Sequence, residues 1–279
     1  MTKTESRPSQ RARADRFRAL HKGPGPFVIA NPWDAGSARV LAGLGFKALA
    51  TSSGGFAGTM GRRDGAVTRA EALAHARAVC DAVDLPVSAD LEGGFGHKPA
   101  DIAETVRLAA RTGLVGCSIE DFTGDAKKPF YDIEAAVERI AAAAEVAASF
   151  GFDFTLTARS ECFLRGHPDL DEVIARLLAY EAAGADVLMA PGLPDLAAVK
   201  AVCDALSKPF NFMAGMPGKS FSVAQLADAG VRRISLATSL YRAAMSGLVA
   251  AAREARESGT FGYVETSIPG PELAGYMRD

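Results

Sequence analysis

The sequence lacks the cysteine and histidine patterns of a disulfide-stabilised or zinc-binding protein. Its four cysteines are far apart and never form a Cys-x-x-Cys pair, which is not the pattern of a disulfide framework in a chain of this length. The four histidines are equally scattered, with no pair at metal-ligand spacing, so a zinc site is not expected. Cys117 and Cys162 lie in or beside apolar runs, and we interpret them as buried, small apolar side chains.

The sequence also lacks long apolar runs and a strong net charge. No run reaches about 18 residues and no signal-peptide core is evident, so we expect no membrane span and a cytoplasmic location. The formal net charge of -2 gives no indication of binding to a nucleic acid or to an acidic lipid surface. A small arginine cluster near the start admits a transit peptide, but the interruptions at Glu5 and Asp15 favour an exposed helix face. The cluster consists of Arg7, Arg11, Arg13, Arg16 and Arg18.

Short apolar runs, each followed by an alanine- and leucine-rich stretch, recur along the whole chain. The runs begin at Phe27, Ala48, Pro86, Gly116, Phe154, Asp186, Pro209 and Arg233. Strands that are apolar throughout are typical of a parallel sheet covered by helices. Eight units without a break in composition predict an α/β fold, a (β/α)₈ TIM barrel, with a doubly wound open sheet as the alternative. We expect one barrel domain over residues 1–279, with an extra helix in 1–22 and a helical extension in the tail, 259–279.

Helix boundaries are marked by capping residues. Thr68 and Glu71 form a Ser/Thr-x-x-Glu capping box. Other residues at expected helix starts are Asp34, Asp132, Asp169 and Ser222. Gly113, Gly184 and Gly230 stand where helices are expected to end.

Polar residues follow several of the predicted strands, where the active sites of such barrels lie. Asp90 and Glu92 follow the third strand, Glu120 follows the fourth, and Arg159 follows the fifth. Carboxylates in this arrangement suit a hard divalent cation such as Mg²⁺, which takes a few carboxylates and keeps several waters. Alternatively, these acids form salt bridges at the rim of the barrel and bind no metal. Arg159 likewise has an alternative role, as a structural ion-pair partner of Glu161. Otherwise Arg159 suits bidentate binding of a carboxylate or phosphate.

Two further segments suit an anionic ligand. Ser53, Gly54 and Gly55 offer backbone N–H groups after the second strand. The glycine-rich stretch 58–65 suits a mobile lid that delivers Asp64, although a plain solvated loop fits its composition equally well. Asn211 lies on the seventh strand and is a further candidate for substrate binding.

Two common motifs are absent. Residues 215–220 resemble a P-loop, but position 213, where a P-loop has glycine, is Met213. There is no Gly-x-Ser-x-Gly segment either, so serine-hydrolase chemistry has no support.

Taken together, five segments resemble the isocitrate lyase / phosphoenolpyruvate (PEP) mutase superfamily over roughly residues 25–250. Their order and spacing carry the resemblance, since no single match is specific. The segments are Ser53-Gly54-Gly55, Arg63-Asp64, Asp90-Leu91-Glu92-Gly93-Gly94-Phe95-Gly96, Ile119-Glu120-Asp121 and Thr157-Ala158-Arg159 with Glu161.

The resemblance implies a (β/α)₈ barrel, Mg²⁺ or Mn²⁺ held partly through water, and substrates that pass through a pyruvate enolate. It assigns the metal to Asp90, Glu92 and Glu120. It assigns the substrate carboxylate to the segment 53–55 and Arg159. It also implies a homo-oligomer, a tetramer or a dimer, with a swapped C-terminal helix.

Two departures from the superfamily motifs argue against true isocitrate lyase activity and true phosphonate mutase activity. Isocitrate lyases carry Lys-Lys/Arg-Cys-Gly-His after strand four, whereas residues 124–131 here contain neither cysteine nor histidine. The mutases carry a histidine after strand six, whereas this chain has Ala190-Pro191-Gly192.

We therefore expect a carbon–carbon lyase or decarboxylase acting on a small, oxaloacetate-like 2-oxo acid, with Asp64, Arg159 and Glu120 as the catalytic candidates. Asp64, Tyr131 and a metal-bound water are candidate proton donors. The alternatives are a phosphonate-related phosphomutase or hydrolase, of the carboxyphosphonoenolpyruvate or phosphonopyruvate type, and a 2-oxo-acid-binding protein without catalysis.

Overall fold

Eight short parallel strands form the centre of the molecule. The computed structural model describes residues 7–277. The strands are β1 Phe27–Ile29, β2 Leu49–Ala50, β3 Val87–Asp90, β4 Gly116–Glu120, β5 Thr155–Arg159, β6 Val187–Met189, β7 Phe210–Met213 and β8 Arg233–Ser235. Each strand from β2 to β8 pairs with the next, and β8 pairs with β1. A single bridge between Ala30 and Leu49 closes the circle between β1 and β2. The predicted (β/α)₈ barrel is therefore confirmed, and the open-sheet alternative is wrong.

Helices surround the barrel and connect its strands. They are α1 Gln10–His21, α2 Ala35–Gly43, α3 Ser53–Thr59, α4 Arg69–Ala82, α5 Pro99–Ala110, α6 Ile133–Ala148, α7 Leu170–Ala182, α8 Leu196–Ala205, α9 Val223–Asp228, α10 Ser239–Arg253 and α11 Gly270–Gly275. One π turn, Glu254–Ser258, and one 3₁₀ turn, Gly262–Thr266, lie between α10 and α11. No helix in residues 7–277 is long and apolar enough to cross a membrane.

Most of the predicted caps are present. The capping box of Thr68 and Glu71 forms at the start of α4, and Asp34, Asp169 and Ser222 cap α2, α7 and α9 through their side chains. The predicted helix-ending residues Gly113, Gly184 and Gly230 all have a positive φ. Asp132 precedes α6 as its N-cap residue, as predicted, but its side chain makes no cap hydrogen bond there. It accepts a hydrogen bond from Lys128 instead.

The ends of the chain follow the expected plan with shifted boundaries. The predicted helix in 1–22 begins only at Gln10, where Ser9 accepts a hydrogen bond from the backbone N–H of Ala12. Residues 1–6 of that prediction, and residues 278–279 of the predicted tail, lie outside the described residues. The tail carries the short α11, whose neighbour Tyr276 packs beside Gly43 at the end of α2.

Helix α1 closes the N-terminal end of the barrel. Phe17 is fully buried there, in a small cluster with Ile29 and Val115. The ring of His21 meets Phe27 edge to face at 5.0 Å. One end of the barrel is thus plugged by apolar side chains, which leaves the C-terminal ends of the strands as the open side.

Candidate active site

Small polar side chains occupy several of the inward-facing positions of the barrel. Strand residues face alternately inward and outward, and the inward set includes Ser88, Ser118, Asn211 and Ser235. The interiors of such barrels are usually filled by branched apolar residues. Because these side chains are short, they leave a cavity of about 240 Å³ that opens at the C-terminal ends of the strands. We call this cavity the well.

Asp90, at the end of β3, lines the well beside Ser53. Its Oδ2 atom accepts a hydrogen bond from Ser53 Oγ at 3.0 Å and lies 3.4 Å from the Ser53 backbone nitrogen. Its Oδ1 atom accepts a hydrogen bond from the backbone N–H of Glu92 at 3.2 Å. Glu92 has a φ of 51°, a left-handed conformation that costs free energy outside glycine. The strained turn brings the Glu92 carboxylate into a recess next to the well, together with Asp90.

Negative charge accumulates at this recess. Burial and, to a smaller extent, the nearby carboxylates of Asp90 and Asp64 together raise the pKa of Glu92 to about 7. A cation bound there would relieve this repulsion, so the oxygen donors fit a hard divalent metal. Within residues 7–277, however, no group of three or more His, Cys, Asp and Glu side chains is arranged to hold a metal directly. The arrangement therefore suits a metal with one or two protein ligands and the rest water.

Arg159, at the end of β5, lies in the middle of the acidic groups. Its Nε atom is 3.6 Å from Glu120 Oε2, and its Nη1 atom is 4.0 Å from Asp90 Oδ2. Burial lowers the pKa of Arg159, but Glu161, Glu120 and Asp90 outweigh burial and raise it. Burial raises the pKa of Glu120 well above its ordinary value, against the opposing effect of Arg159. The sequence left open whether Arg159 pairs with Glu161 or binds a ligand; in the structure it pairs with Glu161 and also lines the well.

A buried network behind Arg159 was not found from the sequence. Glu161 is fully buried and accepts hydrogen bonds from Arg159 and Arg165. Its backbone N–H donates to Asp121 Oδ1 at 2.9 Å, and the other oxygen of Asp121 accepts from Tyr180 at 2.7 Å. This network fixes the rotamer of Arg159, since each polar atom behind the guanidinium has a partner. The sequence signal was the pair of acids Glu161 and Asp121 inside apolar surroundings.

The segment 53–55 begins helix α3 instead of forming an open loop. The Ser53 N–H faces Asp90, and the Gly55 N–H donates to Ser52 Oγ at 3.2 Å. These two N–H groups therefore have acceptors within the protein, unlike the expected open cradle. Gly54 is required for space, because a Cβ there would lie 2.8 Å from Thr238 Cγ2 and 3.2 Å from Asp64 Cγ.

Asp64 lines the well, although it lies in a connecting segment. The first part of the predicted lid is wrong as a loop, since residues 58 and 59 complete α3. The rest, residues 60–65, is a turn that has Arg62 bound to Glu71 at 2.9 Å and leaves Arg63 exposed. The turn thus delivers the Asp64 carboxylate to the well in this conformation.

The structure brings most, but not all, of the predicted site residues to one cavity. Those that line the well are Ser53, Gly54, Asp64, Asp90, Arg159 and Asn211. Gly55, Glu92 and Glu120 lie next to it without lining it. Tyr131, a candidate proton donor, does not line it either, and its hydroxyl lies 2.6 Å from His97 Nδ1 at the exposed rim.

Several residues of the well were not singled out from the sequence. Apolar side chains also line the well, and they are Leu164, Met189, Met213, Met216 and Leu236. Two arginines, Arg233 and Arg242, also line the well. Arg233 left one signal in the sequence, a charged residue inside an otherwise apolar strand.

The candidate active site thus lies at the open end of a (β/α)₈ barrel, where such barrels carry their active sites. The family model described as phosphoenolpyruvate phosphomutase matches residues 17–256. The chain belongs to this family, within the isocitrate lyase / PEP mutase superfamily.

Named relatives agree with this assignment. The chain is 30% identical to the oxaloacetate decarboxylase of Pseudomonas aeruginosa, over 92% of this chain and 88% of that protein. It is 31% identical to the 2-methylisocitrate lyase of Escherichia coli, over 69% of this chain and 67% of that protein. A solved structure from Burkholderia cenocepacia J2315, described as that of a lyase or mutase, has a TM-score of 0.94 and 49% identity, and 96% of each chain is covered.

Proposed function

We propose that this enzyme converts a small, oxaloacetate-like 2-oxo acid to the enolate of pyruvate, by decarboxylation or by cleavage of a C–C bond. The observation that carries the proposal is the mixed lining of the well: Arg159 lies beside Asp90, and apolar side chains make up much of the remaining surface. A short dicarboxylate fits a cavity of about 240 Å³ with these surfaces. The name of the Pseudomonas relative, which aligns over 92% of this chain, supports the same substrate class.

In this proposal the carboxylate of the substrate is bound by Arg159 and by the Ser53 hydroxyl, whose single O–H then turns from Asp90 to the substrate. The guanidinium is held from behind by Glu161, so its orientation is fixed before the substrate arrives. Asp90 and Glu92, with Glu120 next to them, would hold Mg²⁺ or Mn²⁺. Such an ion would supply the positive charge that stabilises the enolate oxygen.

The reaction then needs one proton at carbon 3. In decarboxylation the C3–C4 bond breaks, CO₂ leaves, and the electron pair forms the enolate, which takes a proton to give pyruvate. We propose Asp64 as the group that holds or moves this proton, because its carboxylate lines the well and belongs to a turn at the mouth. Tyr131 is less suitable, since its hydroxyl is directed to His97 outside the well.

The test is the release of pyruvate by the purified enzyme with Mg²⁺. Oxaloacetate, methylisocitrate-like acids and phosphonopyruvate are compared, each against a blank without enzyme, because metal ions alone decarboxylate oxaloacetate. The variant Arg159→Met should abolish release, and Asp125→Asn, in an exposed loop, should leave it unchanged. Phosphonopyruvate is also followed by its own disappearance, because a mutase would convert it to phosphoenolpyruvate without releasing pyruvate. Turnover of phosphonopyruvate alone would establish the phosphonate alternative. Tight binding of 2-oxo acids without any turnover would establish a binding protein.

We also propose that the enzyme is a homo-oligomer that uses the outer face of α10 and the tail. No residue of α10 is buried, yet this region carries large apolar residues that water would otherwise meet. They are Met245, Leu248, Val249, Phe261, Val264, Ile268, Leu273 and Met277. Light scattering after gel filtration should give a mass of two or four chains, and Leu248→Glu with Val249→Glu should reduce it to one. A wild-type mass of one chain would contradict the proposal.

A further inference from the structure

Arg233 lies inside the barrel without a carboxylate beside it. Its side chain starts from β8, is 5% exposed, and crosses the interior to β5, where Nη2 donates to Thr157 Oγ1 at 2.9 Å. Its Nε atom donates to Asn211 Oδ1 at 2.8 Å. Among residues 7–277, no acidic side chain lies within ion-pair distance of this guanidinium. A buried cation with neutral partners is costly to maintain.

The third partner of Arg233 is also neutral. His21 Nδ1 lies 2.9 Å from the carbonyl oxygen of Phe17, which can only accept, so Nδ1 carries the proton. His21 Nε2 is therefore the acceptor, and it lies 3.4 Å from Arg233 Nη1. Burial and the charge of Arg233 lower the pKa of His21 to about 3, so the ring is neutral at physiological pH. The bottom of the barrel thus holds Arg233 in place without neutralising it.

The contact with Asn211 determines which way that amide faces. A guanidinium N–H can only donate, so the atom of Asn211 that meets Arg233 is the oxygen. The nitrogen Nδ2 is then turned to the other side, where one N–H donates to Ser235 Oγ at 3.1 Å. Asn211 lines the well. Its second N–H is the donor that a ligand in the well would meet.

We propose that Arg233 is a positioning residue that locks Asn211 as a hydrogen-bond donor toward one carboxylate of the substrate. The inference rests on the proposed function, since it takes the ligand to be a small dicarboxylate or 2-oxo acid. Without Arg233 the amide could rotate by 180° and present its oxygen to that carboxylate, which would repel it. The cation acts through Asn211, not by touching the substrate.

The experiment is a double-mutant cycle read by the affinity for oxalate, a non-reacting analogue of the enolate. Affinity is measured by calorimetry at saturating Mg²⁺ for wild type, Arg233→Met, Asn211→Ala and the double variant. We expect Arg233→Met and Asn211→Ala each to weaken oxalate binding at least about tenfold, the scale of one hydrogen bond to a charged group. In the Asn211→Ala background, Arg233→Met should then weaken binding less than twofold.

Additive losses would overturn the proposal, because they would show that the charge of Arg233 acts on the ligand directly. Unchanged affinity in Arg233→Met would overturn it as well. Thermal unfolding checks that each variant is folded, and Arg233→Lys replaces Arg233→Met in the same cycle if the latter does not fold. A lysine there keeps the positive charge but cannot contact Asn211, Thr157 and His21 at once as the guanidinium does. The same non-additive result is therefore expected.

The outcome for the proposed function is read separately. Pyruvate release together with an additive cycle would overturn only the role of Arg233. A non-additive cycle without pyruvate release from any substrate would support the role of Arg233 and overturn the proposed reaction. Failure of the wild type to bind oxalate with Mg²⁺ would overturn the role of Arg233, whatever the release assay shows.

Discussion

The carboxylate of Glu161 is completely buried and accepts hydrogen bonds from two arginines, Arg159 and Arg165. Arg159 lines the well, whereas Glu161 does not. The buried acid thus pairs with and orients a guanidinium that faces the well. An arginine held in this way can still bind an anion, as the proposed function requires.

Neutralising Glu161 should damage both stability and substrate binding. Glu161→Gln removes the buried anion nearest to Arg159 and the ion-pair partner of Arg165, so the free energy of unfolding should fall by about 3 kcal/mol. KM for the substrate should rise at least tenfold, because Arg159 is released. Urea unfolding and initial rates measure the two effects. The control Glu104→Gln breaks an exposed pair with Arg107, and should cost about 0.5 kcal/mol; an equal loss in both variants would contradict the role of Glu161.

The metal site should depend on Asp90. Asp90→Ala and Glu120→Ala should each weaken Mg²⁺ binding at least about tenfold, because each removes a carboxylate of the acidic group. Calorimetry with Mg²⁺ alone measures this, and Asp125→Ala serves as the control. A loss in Asp90→Ala only would show that Glu120 acts on Arg159 instead. Unchanged affinity in both would remove the proposed metal site.

The turn 60–65 should respond to ligand. Asp64→Ala should lower kcat by about 100-fold, the scale for losing a positioned acid or base, with little change in the unfolding temperature. Trypsin should cut after the exposed Arg63 in the free protein, and Mg²⁺ with oxalate should slow this cut if the turn closes over the ligand. Equal cleavage with and without bound oxalate would show that the turn is only a solvated connection.

Thiol reagents should leave the activity largely intact. Cys80, Cys117 and Cys162 are buried, and burial raises the pKa of each thiol, so little reactive thiolate is present. Cys203 is half-buried on α8, outside the well. Activity after treatment with iodoacetamide is the measurement. Complete inactivation that substrate prevents would indicate that a cysteine takes part in the reaction.

Stability should fall in mild acid because of His21. Its pKa is lowered from 6.5 to about 3 by burial and by Arg233. As pH falls through 6.5, His21 is therefore protonated in the unfolded chain but not in the folded protein. The stability present above pH 6.5 is lost progressively as pH falls toward 3. From pH 7 to pH 5 this group should cost about 2 kcal/mol. His21→Gln should flatten that slope in urea titrations, whereas His167→Gln, at an exposed site, should not; equal slopes in all three proteins would contradict the assignment.

The sequence by itself determined the barrel, the order of its strands and the place of the acids. Eight apolar runs with capped helices between them leave few other topologies, and parallel strands bring their C-terminal ends to one side. The sequence alone therefore placed Asp90, Arg159 and Asn211 at the same opening of the barrel. The family assignment followed from the order of five short segments.

Only the tertiary structure decided what each of these groups faces. The sequence did not show that Glu161 lies behind Arg159, that Arg233 reaches across from β8 to Thr157, or that the Ser53 N–H is already bonded to Asp90. These contacts join residues distant in the chain, and they depend on rotamers that packing inside the barrel selects. Periodicity and spacing report which strand a residue belongs to and which face it occupies. In the interior, where the dielectric is low, each buried polar atom needs a hydrogen-bond or ion-pair partner. Which residue provides that partner depends on the packing of the folded chain.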